Sequence, residues 1–239
     1  MADKATKKLR VDIWSDIVCP WCAVGKRRFE AALARFPHRD DVEVVWRAFE
    51  LDPSAPTVYE GDNVTRLARK YGRTREQAEA MMHQLEETAA KDGLELHLTT
   101  ARSGNTFDGH RVLHLAAERG LQGAVKERFL RGYHSEGEAI GEHEVLVKLA
   151  SEAGLDAEEV RAVLASDRYA DEVREEEKAA RALGVNGVPF FVLGEKYAVS
   201  GAQPADVLLG ALEQAWASRD EADEPAAQDG AVCGPEGCA

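Results

Sequence analysis

The sequence contains few cysteines, fewer basic than acidic residues and no long apolar segment. Its 239 residues include 30 Lys and Arg against 43 Asp and Glu, so the formal net charge is −13. Proteins that bind nucleic acids need clustered positive charge to meet the phosphates, so we expect no nucleic-acid partner. A membrane-spanning helix needs a run of about 18 apolar residues or more, and the lack of one predicts no membrane partner.

Residues 1–10 are charged and lack the apolar segment that a secretory signal peptide requires. We therefore expect a cytoplasmic protein. Cytosolic thiols are kept reduced, so cysteines there are more often catalytic, redox-sensing or metal-binding than structural disulfides. The four cysteines form two close pairs, Cys19 with Cys22 and Cys233 with Cys238.

The first pair belongs to the motif Cys-Pro-Trp-Cys at residues 19–22, which lies between two predicted elements. Residues 11–14 alternate apolar and polar side chains, which predicts a strand. Residues 23–33 carry apolar side chains at helical spacing, which predicts a helix. A C-x-x-C motif between a strand and a helix is typical of redox chemistry.

The position of the motif also predicts which thiol reacts first. Pro20 suits the first turn of a helix because it has no N–H group to leave unpaired. Cys19 would then lie near the free amides and positive dipole of the helix start, where thiol pKa values fall to about 3.5–7.5. Cys19 is therefore the predicted nucleophile, and Cys22 the thiol that resolves the mixed disulfide.

A structural zinc site is the alternative interpretation of four cysteines, because C-x₂-C and C-x₄-C are both allowed zinc spacings. Against zinc, the two pairs lie near opposite ends of the chain, and the second follows a polar, acidic stretch from residue 218 that predicts a flexible linker. We expect neither a metal nor a cofactor.

The remaining periodicity predicts two further strands near the C-terminus and a largely helical middle. Residues 42–51 form a second strand candidate, which suggests a parallel pair with the first. Residues 188–193 and 196–200 are separated by Gly194-Glu195, which predicts a hairpin. Thr74 and Gln77 fit a capping box, and helices are predicted near residues 108–119, 121–134, 143–153, 156–165, 167–183 and 205–216.

Four segments together resemble the DsbA-type thiol–disulfide oxidoreductases of the FrnE-like group. This group is part of the thioredoxin superfamily and is related to the 2-hydroxychromene-2-carboxylate isomerases. The resemblance covers about residues 9–217 and is carried by the segments at 16–22, 105–110, 187–191 and 200–203.

The resemblance implies an α/β fold with a thioredoxin-like core at residues 9–57 and 166–217. An all-helical domain at residues 58–165 would be inserted after the second core strand. Residues 218–239 would form a flexible tail carrying Cys233 and Cys238 as an accessory redox pair, although accidental tail cysteines are an alternative.

The resemblance further implies that Pro189 follows a cis peptide bond and faces the redox pair, with a trans bond at a strand start as the alternative. The backbone of Val188 would then be free to pair with an extended substrate. Pro20 and Trp21 would contact the same substrate.

Two polar residues and a methionine pair have open roles. Asp16 would influence proton transfer at Cys22, or would be an ordinary loop aspartate. His110 would face the site from the helical domain, or would lie at a helix surface or core edge. Met81 and Met82 are predicted to belong to the core.

The predicted function is disulfide exchange or isomerisation on protein or peptide disulfides. One alternative keeps the fold but is a glutathione-dependent isomerase of the chromene-carboxylate type, with glutathione as partner; those relatives have serine where Cys19 stands. A second alternative is a non-catalytic, chaperone-like binding module.

Overall fold

The computed structural model describes residues 8–219. This part of the chain forms four strands: β1 Leu9–Ser15, β2 Val42–Ala48, β3 Phe190–Leu193 and β4 Tyr197–Ser200. Its α-helices are α1 Pro20–Arg35, α2 Asn63–Tyr71, α3 Arg75–Lys91, α4 Phe107–Glu118, α5 Gln122–His134, α6 His143–Glu152, α7 Ala157–Leu164, α8 Ala170–Ala182 and α9 Ala205–Ala217. Between residues 8 and 219, no helix is both long and apolar enough to span a bilayer.

The four strands form one mixed sheet in the order β2-β1-β3-β4. β1 and β2 are parallel and are connected through α1, since parallel neighbours need a crossover. β3 pairs antiparallel with both β1 and β4. Gly194 and Glu195 join β3 to β4 with positive φ angles of 59° and 62°, the conformation of a tight hairpin turn. The predicted parallel pair and hairpin are both confirmed.

The sheet packs against α1 and α9, and their shared core is built from residues such as Ile13, Phe29, Phe191 and Leu212, all 0% or 1% exposed. A second apolar core lies among α4, α5, α6 and α7. Ile17, in the loop between β1 and α1, is fully buried in this second core. The loop that leads to Cys19 is therefore anchored to the helices as well as to the sheet.

The predicted fold class is confirmed: a mixed sheet is accompanied by an all-helical segment that follows the second strand. Residues 58–165 contain α2 to α7 and no strand. The domain bounds within this arrangement stay a prediction. The capping box is also present, because Thr74 Oγ1 accepts from Gln77 N at 3.2 Å and Gln77 Oε1 accepts from Thr74 N at 3.1 Å.

Candidate active site

The Cys-Pro-Trp-Cys motif forms the start of α1. Cys19 has extended backbone angles and is the cap residue of α1, and Pro20 occupies its first turn. The backbone N–H of Cys22 donates to the carbonyl of Cys19 at 3.0 Å, which holds the two cysteines one turn apart. Both are free thiols.

The two thiols differ in access to solvent. Cys19 is 5% exposed and lines a cavity of about 420 Å³, whereas Cys22 is fully buried and does not border this cavity. Trp21 projects outward at 42% exposure and forms part of the same wall, as does Pro20. A molecule in the cavity therefore meets the Cys19 sulfur first.

The pKa values of the two thiols move in opposite directions because each thiol affects the ionisation of the other. The hydrogen bond to Cys22, followed by burial, raises the pKa of Cys19 well above its usual range. Burial raises the pKa of Cys22, but the proximity of Cys19, the charge of Lys126 and the nearby Ser15 hydroxyl outweigh it and lower that pKa. The lowered pKa that the helix start predicts for Cys19 is therefore found at Cys22 instead.

Lys126 is the cation that stabilises a thiolate in this pair. It reaches the site from α5, is 0% exposed, and donates to the carbonyl of Ser15 at 3.3 Å. Burial lowers the pKa of Lys126 to about 8, and the negative charges of Cys22 and Asp16 oppose this effect. Within residues 8–219, no carboxylate lies within ion-pair distance of this ammonium.

Asp16 and His110 form a buried pair beside the cysteines. Their side chains are 0% and 1% exposed, and His110 Nε2 lies 3.6 Å from Asp16 Oδ1. Asp16 Oδ2 accepts from the backbone N–H of Leu51 at 2.8 Å. Burial raises the pKa of Asp16, but its contact with His110 and the Leu51 hydrogen bond outweigh burial and hold the pKa below its usual range. Asp16 is therefore an anion that ties the active-site loop to α4 and to the segment after β2.

His134, the last residue of α5, lies at the floor of the cavity. It is fully buried, and neither ring nitrogen has a hydrogen-bond partner among the described residues. Burial lowers the pKa of His134 to about 4, against smaller opposing effects of the Ile17 and Cys19 backbone. The imidazole is therefore neutral near pH 7.

Val188 and Pro189 lie directly against the redox pair, joined by a cis peptide bond as predicted. The Cys19 thiol donates to the carbonyl of Val188 at 3.4 Å. The Pro189 ring packs on Gly25 of α1, and its carbonyl accepts from Gly201 N at 2.8 Å. Cys19 and Val188 are thus in contact although they lie 169 positions apart in the sequence.

The predicted core methionines Met81 and Met82 differ in their exposure. Met82 is buried, but Met81 is 38% exposed on the cavity wall, so its assignment to the core is wrong. Cys233 and Cys238 lie outside the described residues. Within residues 8–219, no group of three or more His, Cys, Asp or Glu side chains could hold a metal ion.

The sequence reasoning missed Lys126 and His134. A usable signal was present in α5, where Val125, Phe129 and Tyr133 form a buried helical stripe. Lys126 lies next to this stripe, at three residues from Phe129, and a lysine at such a position has to be buried or turned away.

Comparison with known proteins agrees with this site. A family model described as the DSBA-like thioredoxin domain matches residues 10–213. The chain belongs to this family. Its DsbA-like members are thiol oxidoreductases, and the fold of this DSBA-like chain, with its cysteine pair at the start of α1, is consistent with that class.

Three known proteins are similar to this DSBA-like chain over most of its length. The crystal structure of the probable DsbA oxidoreductase SCO1869 from Streptomyces coelicolor is 53% identical, with a TM-score of 0.84 over 97% of this chain and 98% of that one. The uncharacterized protein YwbO of Bacillus subtilis is 30% identical over 210 residues, covering 85% of this chain and 96% of YwbO. A 2-hydroxychromene-2-carboxylate isomerase shares the fold at 19% identity, with a TM-score of 0.61 over 86% of this chain and 95% of that one.

Proposed function

We propose that this protein is a thiol–disulfide oxidoreductase that acts on protein or peptide disulfides through Cys19 and Cys22. The observation that carries the proposal is the division of access between the thiols. Cys19 lines an open cavity, and Cys22 is fully buried and does not border this cavity. An attacking thiol must reach the substrate, whereas a resolving thiol needs to reach only its partner.

In the first step, Cys19 passes its proton to Cys22 and attacks one sulfur of the substrate disulfide. The substrate S–S bond breaks, a Cys19–substrate bond forms, and one substrate thiolate leaves and takes up a proton. Cys22, one helical turn away, is the acceptor for the first proton, because the proximity of Cys19 and the charge of Lys126 outweigh burial and lower its pKa. In this way a Cys19 thiol with a raised pKa becomes a nucleophile without losing its proton to bulk water.

In the second step, Cys22 gives up its proton and attacks the Cys19 sulfur. The Cys19–Cys22 disulfide forms, the second substrate thiol leaves, and two electrons have passed to the substrate. Lys126 supports this step, because its positive charge favours the Cys22 thiolate. The reverse sequence transfers the disulfide to a reduced substrate.

Val188 and Pro189 are proposed to hold the substrate backbone beside the reacting sulfur. Proline offers no N–H and no reactive side chain next to the thiols, and the Val188 carbonyl already accepts from Cys19. Pro20 and Trp21 would contact substrate side chains from the other wall. A cytoplasmic location and an accessory role for Cys233 and Cys238 stay predictions.

The proposal is tested by trapping mixed disulfides in a background with Cys233→Ser and Cys238→Ser, which removes other thiols. Cys22→Ser should accumulate a Cys19-linked adduct with a disulfide-bonded peptide, detected by mass spectrometry. Cys19→Ser should form about a hundredfold less adduct, because Cys22 does not border the cavity. Wild type should reduce insulin disulfides in the presence of dithiothreitol.

Two outcomes would overturn the proposal. Equal adduct formation in Cys19→Ser and Cys22→Ser would show that Cys19 is not the attacking thiol and Cys22 not the resolving one. Failure of the wild-type pair to oxidise across biological redox potentials would remove the activity itself and would favour a binding module.

A further inference from the structure

The exposed apolar side chains of this protein gather beside Cys19. Within residues 8–219, the large hydrophobic side chains with marked exposure are Trp21, Leu51, Tyr71, Met81, Leu183 and Val207. The first four all line the cavity that holds Cys19. Exposed apolar surface of this kind is typical of binding sites, so this wall is a candidate ligand site.

The cavity has the depth of a small-molecule pocket. Its rim carries Tyr71 and Met81, which are 54% and 38% exposed, and its floor carries Met82, Tyr133 and His134, which are 2%, 2% and 0% exposed. Its volume of about 420 Å³ lies in the range of pockets that enclose small ligands, about 300–1,000 Å³. The cavity therefore has room for a small ligand beside Cys19.

Two cations of α2 border this cavity without a carboxylate partner. Arg66 directs its guanidinium donors to Asn63 Oδ1, at 3.1 Å and 2.9 Å, and stacks over the Tyr59 ring at 5.1 Å. Lys70 follows one turn later on the exposed side of the rim. Across residues 8–219, neither side chain lies within ion-pair distance of an acidic group. In a chain with a net charge of −13, two such cations at one cavity favour an anion.

The acidic groups on the same cavity are already engaged. Asp52 accepts from Tyr59 Oη at 2.5 Å and from Ser54 Oγ at 2.7 Å. Asp16 is buried against His110 and the Leu51 amide. The hydrogen bonds from Tyr59 and Ser54 hold the pKa of Asp52 below its usual range, and the charge of Lys70 has only a smaller effect on it. The cations at Arg66 and Lys70 therefore retain capacity for a ligand carboxylate.

We propose that this cavity binds a small amphipathic disulfide that carries an aromatic or alkyl group and a carboxylate. The apolar group would lie against Tyr71, Met81 and Met82, and the carboxylate would pair with Arg66 and Lys70. One ligand sulfur would face Cys19. This inference rests on the proposed function for its chemistry, but its binding part stands without that chemistry.

The reaction on such a ligand balances as a two-electron exchange. Cys19 attacks one sulfur, the ligand S–S bond breaks, and one carboxylate-bearing thiol leaves with a proton. Cys22 then attacks Cys19, the protein disulfide forms, and the second thiol leaves. The ligand is reduced to two thiols and the cysteine pair is oxidised.

Binding is tested first, with the protein unable to react. The double variant Cys19→Ser, Cys22→Ser is titrated with anilinonaphthalene sulfonate, an aromatic anion whose fluorescence rises in apolar sites. Adding Arg66→Gln and Lys70→Gln should weaken its affinity at least about tenfold, since a hydrogen bond to a charged group is worth about 1.5–3 kcal/mol. Lys70→Gln alone should weaken it severalfold and removes no structural contact. Lys178→Gln, on the exposed face of α8, is the matched control for Lys70→Gln. Lys178→Gln with Arg181→Gln, a second exposed cation of α8, is the matched control for the double substitution, with the same change in net charge.

Selectivity is tested next, with the cysteines intact. The reduced protein reacts with dithiobis(nitrobenzoate), an aromatic disulfide with two carboxylates, and with dithiobis(nitropyridine), its neutral counterpart. The ratio of the two second-order rate constants should fall about tenfold in Arg66→Gln, Lys70→Gln relative to Lys178→Gln, Arg181→Gln. The same ratio should fall with added salt in wild type.

The results separate this inference from the proposed function. If the α2 variants bind anilinonaphthalene sulfonate as tightly as their α8 controls, or if the rate ratio does not change, the inference is overturned and the cysteine chemistry stands. A faster reaction with a disulfide-bonded peptide that is insensitive to Arg66 and Lys70 would also overturn it. If binding depends on both cations but no disulfide reacts, the proposed function fails and the pocket remains a site for amphipathic anions.

Discussion

Pro189 packs so closely on Gly25 that a Cβ atom added to the glycine would lie 2.6 Å from the proline Cγ. Gly25 belongs to α1, which carries both cysteines, and Pro189 precedes β3. The absence of a side chain at residue 25 therefore sets how near the helix with the thiols can approach the Val188–Pro189 segment. The next atom that such a Cβ would meet outside the proline ring is Cα of Ala202, at 3.6 Å.

Gly25→Ala should therefore lower both stability and activity. The added methyl group has to push Pro189 and α1 apart, and such overpacking costs about 1–3 kcal/mol. Urea unfolding should show this loss in the free energy of unfolding, and insulin reduction should slow because the Val188 carbonyl moves away from Cys19.

Gly210→Ala is the matched control for this substitution. Gly210 also lies inside a helix, α9, and a Cβ there would meet no atom within 4 Å. Alanine should stabilise this helix by about 0.5–1 kcal/mol without a change in activity. Equal effects of the two substitutions would show that the Gly25–Pro189 contact has no special cost.

Lys126→Met should make the protein a weaker oxidant. Loss of the buried cation removes a group that favours the Cys22 thiolate, so the reduced state becomes less stable relative to the disulfide. The equilibrium constant with glutathione should shift about tenfold, which moves the reduction potential about 30 mV to more negative values. The pKa of Cys22, followed by thiolate absorbance, should rise.

The same variant should be more stable than wild type near pH 7. Burial lowers the pKa of Lys126 from the ordinary lysine value to about 8. This difference in pKa means that the charged lysine destabilises the folded protein by about 3 kcal/mol near pH 7. Lys178→Met, with a side chain that is 72% exposed, changes the net charge equally and should alter neither quantity. An unchanged potential in Lys126→Met would rule out a role of this lysine in the redox balance.

Acidification should destabilise the protein through His134. Its folded pKa of about 4 lies below the ordinary value of about 6.5, so between these values the unfolded chain binds the proton more strongly. The contribution of His134 to the free energy of unfolding should fall by up to about 3 kcal/mol as pH falls from about 6.5 to about 4, and it is measured as the difference between wild type and His134→Leu. Asp16 contributes only at lower pH, because its pKa is held below the ordinary carboxyl value.

His134→Leu should remove this contribution, so the stability of wild type should fall relative to that of the variant between about pH 6.5 and 4. Leucine can replace the imidazole because both ring nitrogens lack hydrogen-bond partners among the described residues. His83→Leu, at a side chain that is 58% exposed, should leave the profile unchanged. Glu50 acts with the opposite sign, because burial raises its pKa to about 7, but it is present in every variant and cancels in the difference. Parallel profiles of wild type and His134→Leu would contradict the assignment.

The elements that the sequence predicts well are those with a local physical cause. The capping residues Thr74 and Gln77 mark the start of α3, and Gly194 with Glu195 marks the hairpin turn. Similarly, a strand followed by Cys19 and Pro20 predicts that Cys19 lies at the start of α1. Each of these features depends on neighbours within a few residues, so periodicity and turn chemistry are sufficient to find them.

The surroundings of the thiols are less accessible to sequence reasoning because they come from distant segments. Lys126 and His134 reach the site from α5, and their approach depends on how the helices pack over the β1–α1 loop. The exposure of Met81 depends on the same packing, because a helical stripe predicts which residues share a face but not whether that face is fully covered. The pKa order of the cysteine pair follows from those contacts and not from the helix start alone.

The contact between Cys19 and Val188 determines when the surroundings of the cysteine pair can assemble during synthesis. During synthesis, the cysteines leave the ribosome early, but the carbonyl that accepts from Cys19 follows 169 residues later. β1 likewise waits for β3 before its second edge is paired. A nascent chain that has emerged only as far as the helical segment therefore carries both thiols without the Val188 carbonyl beside Cys19, and the surroundings of the cysteine pair are completed only when β3 has followed.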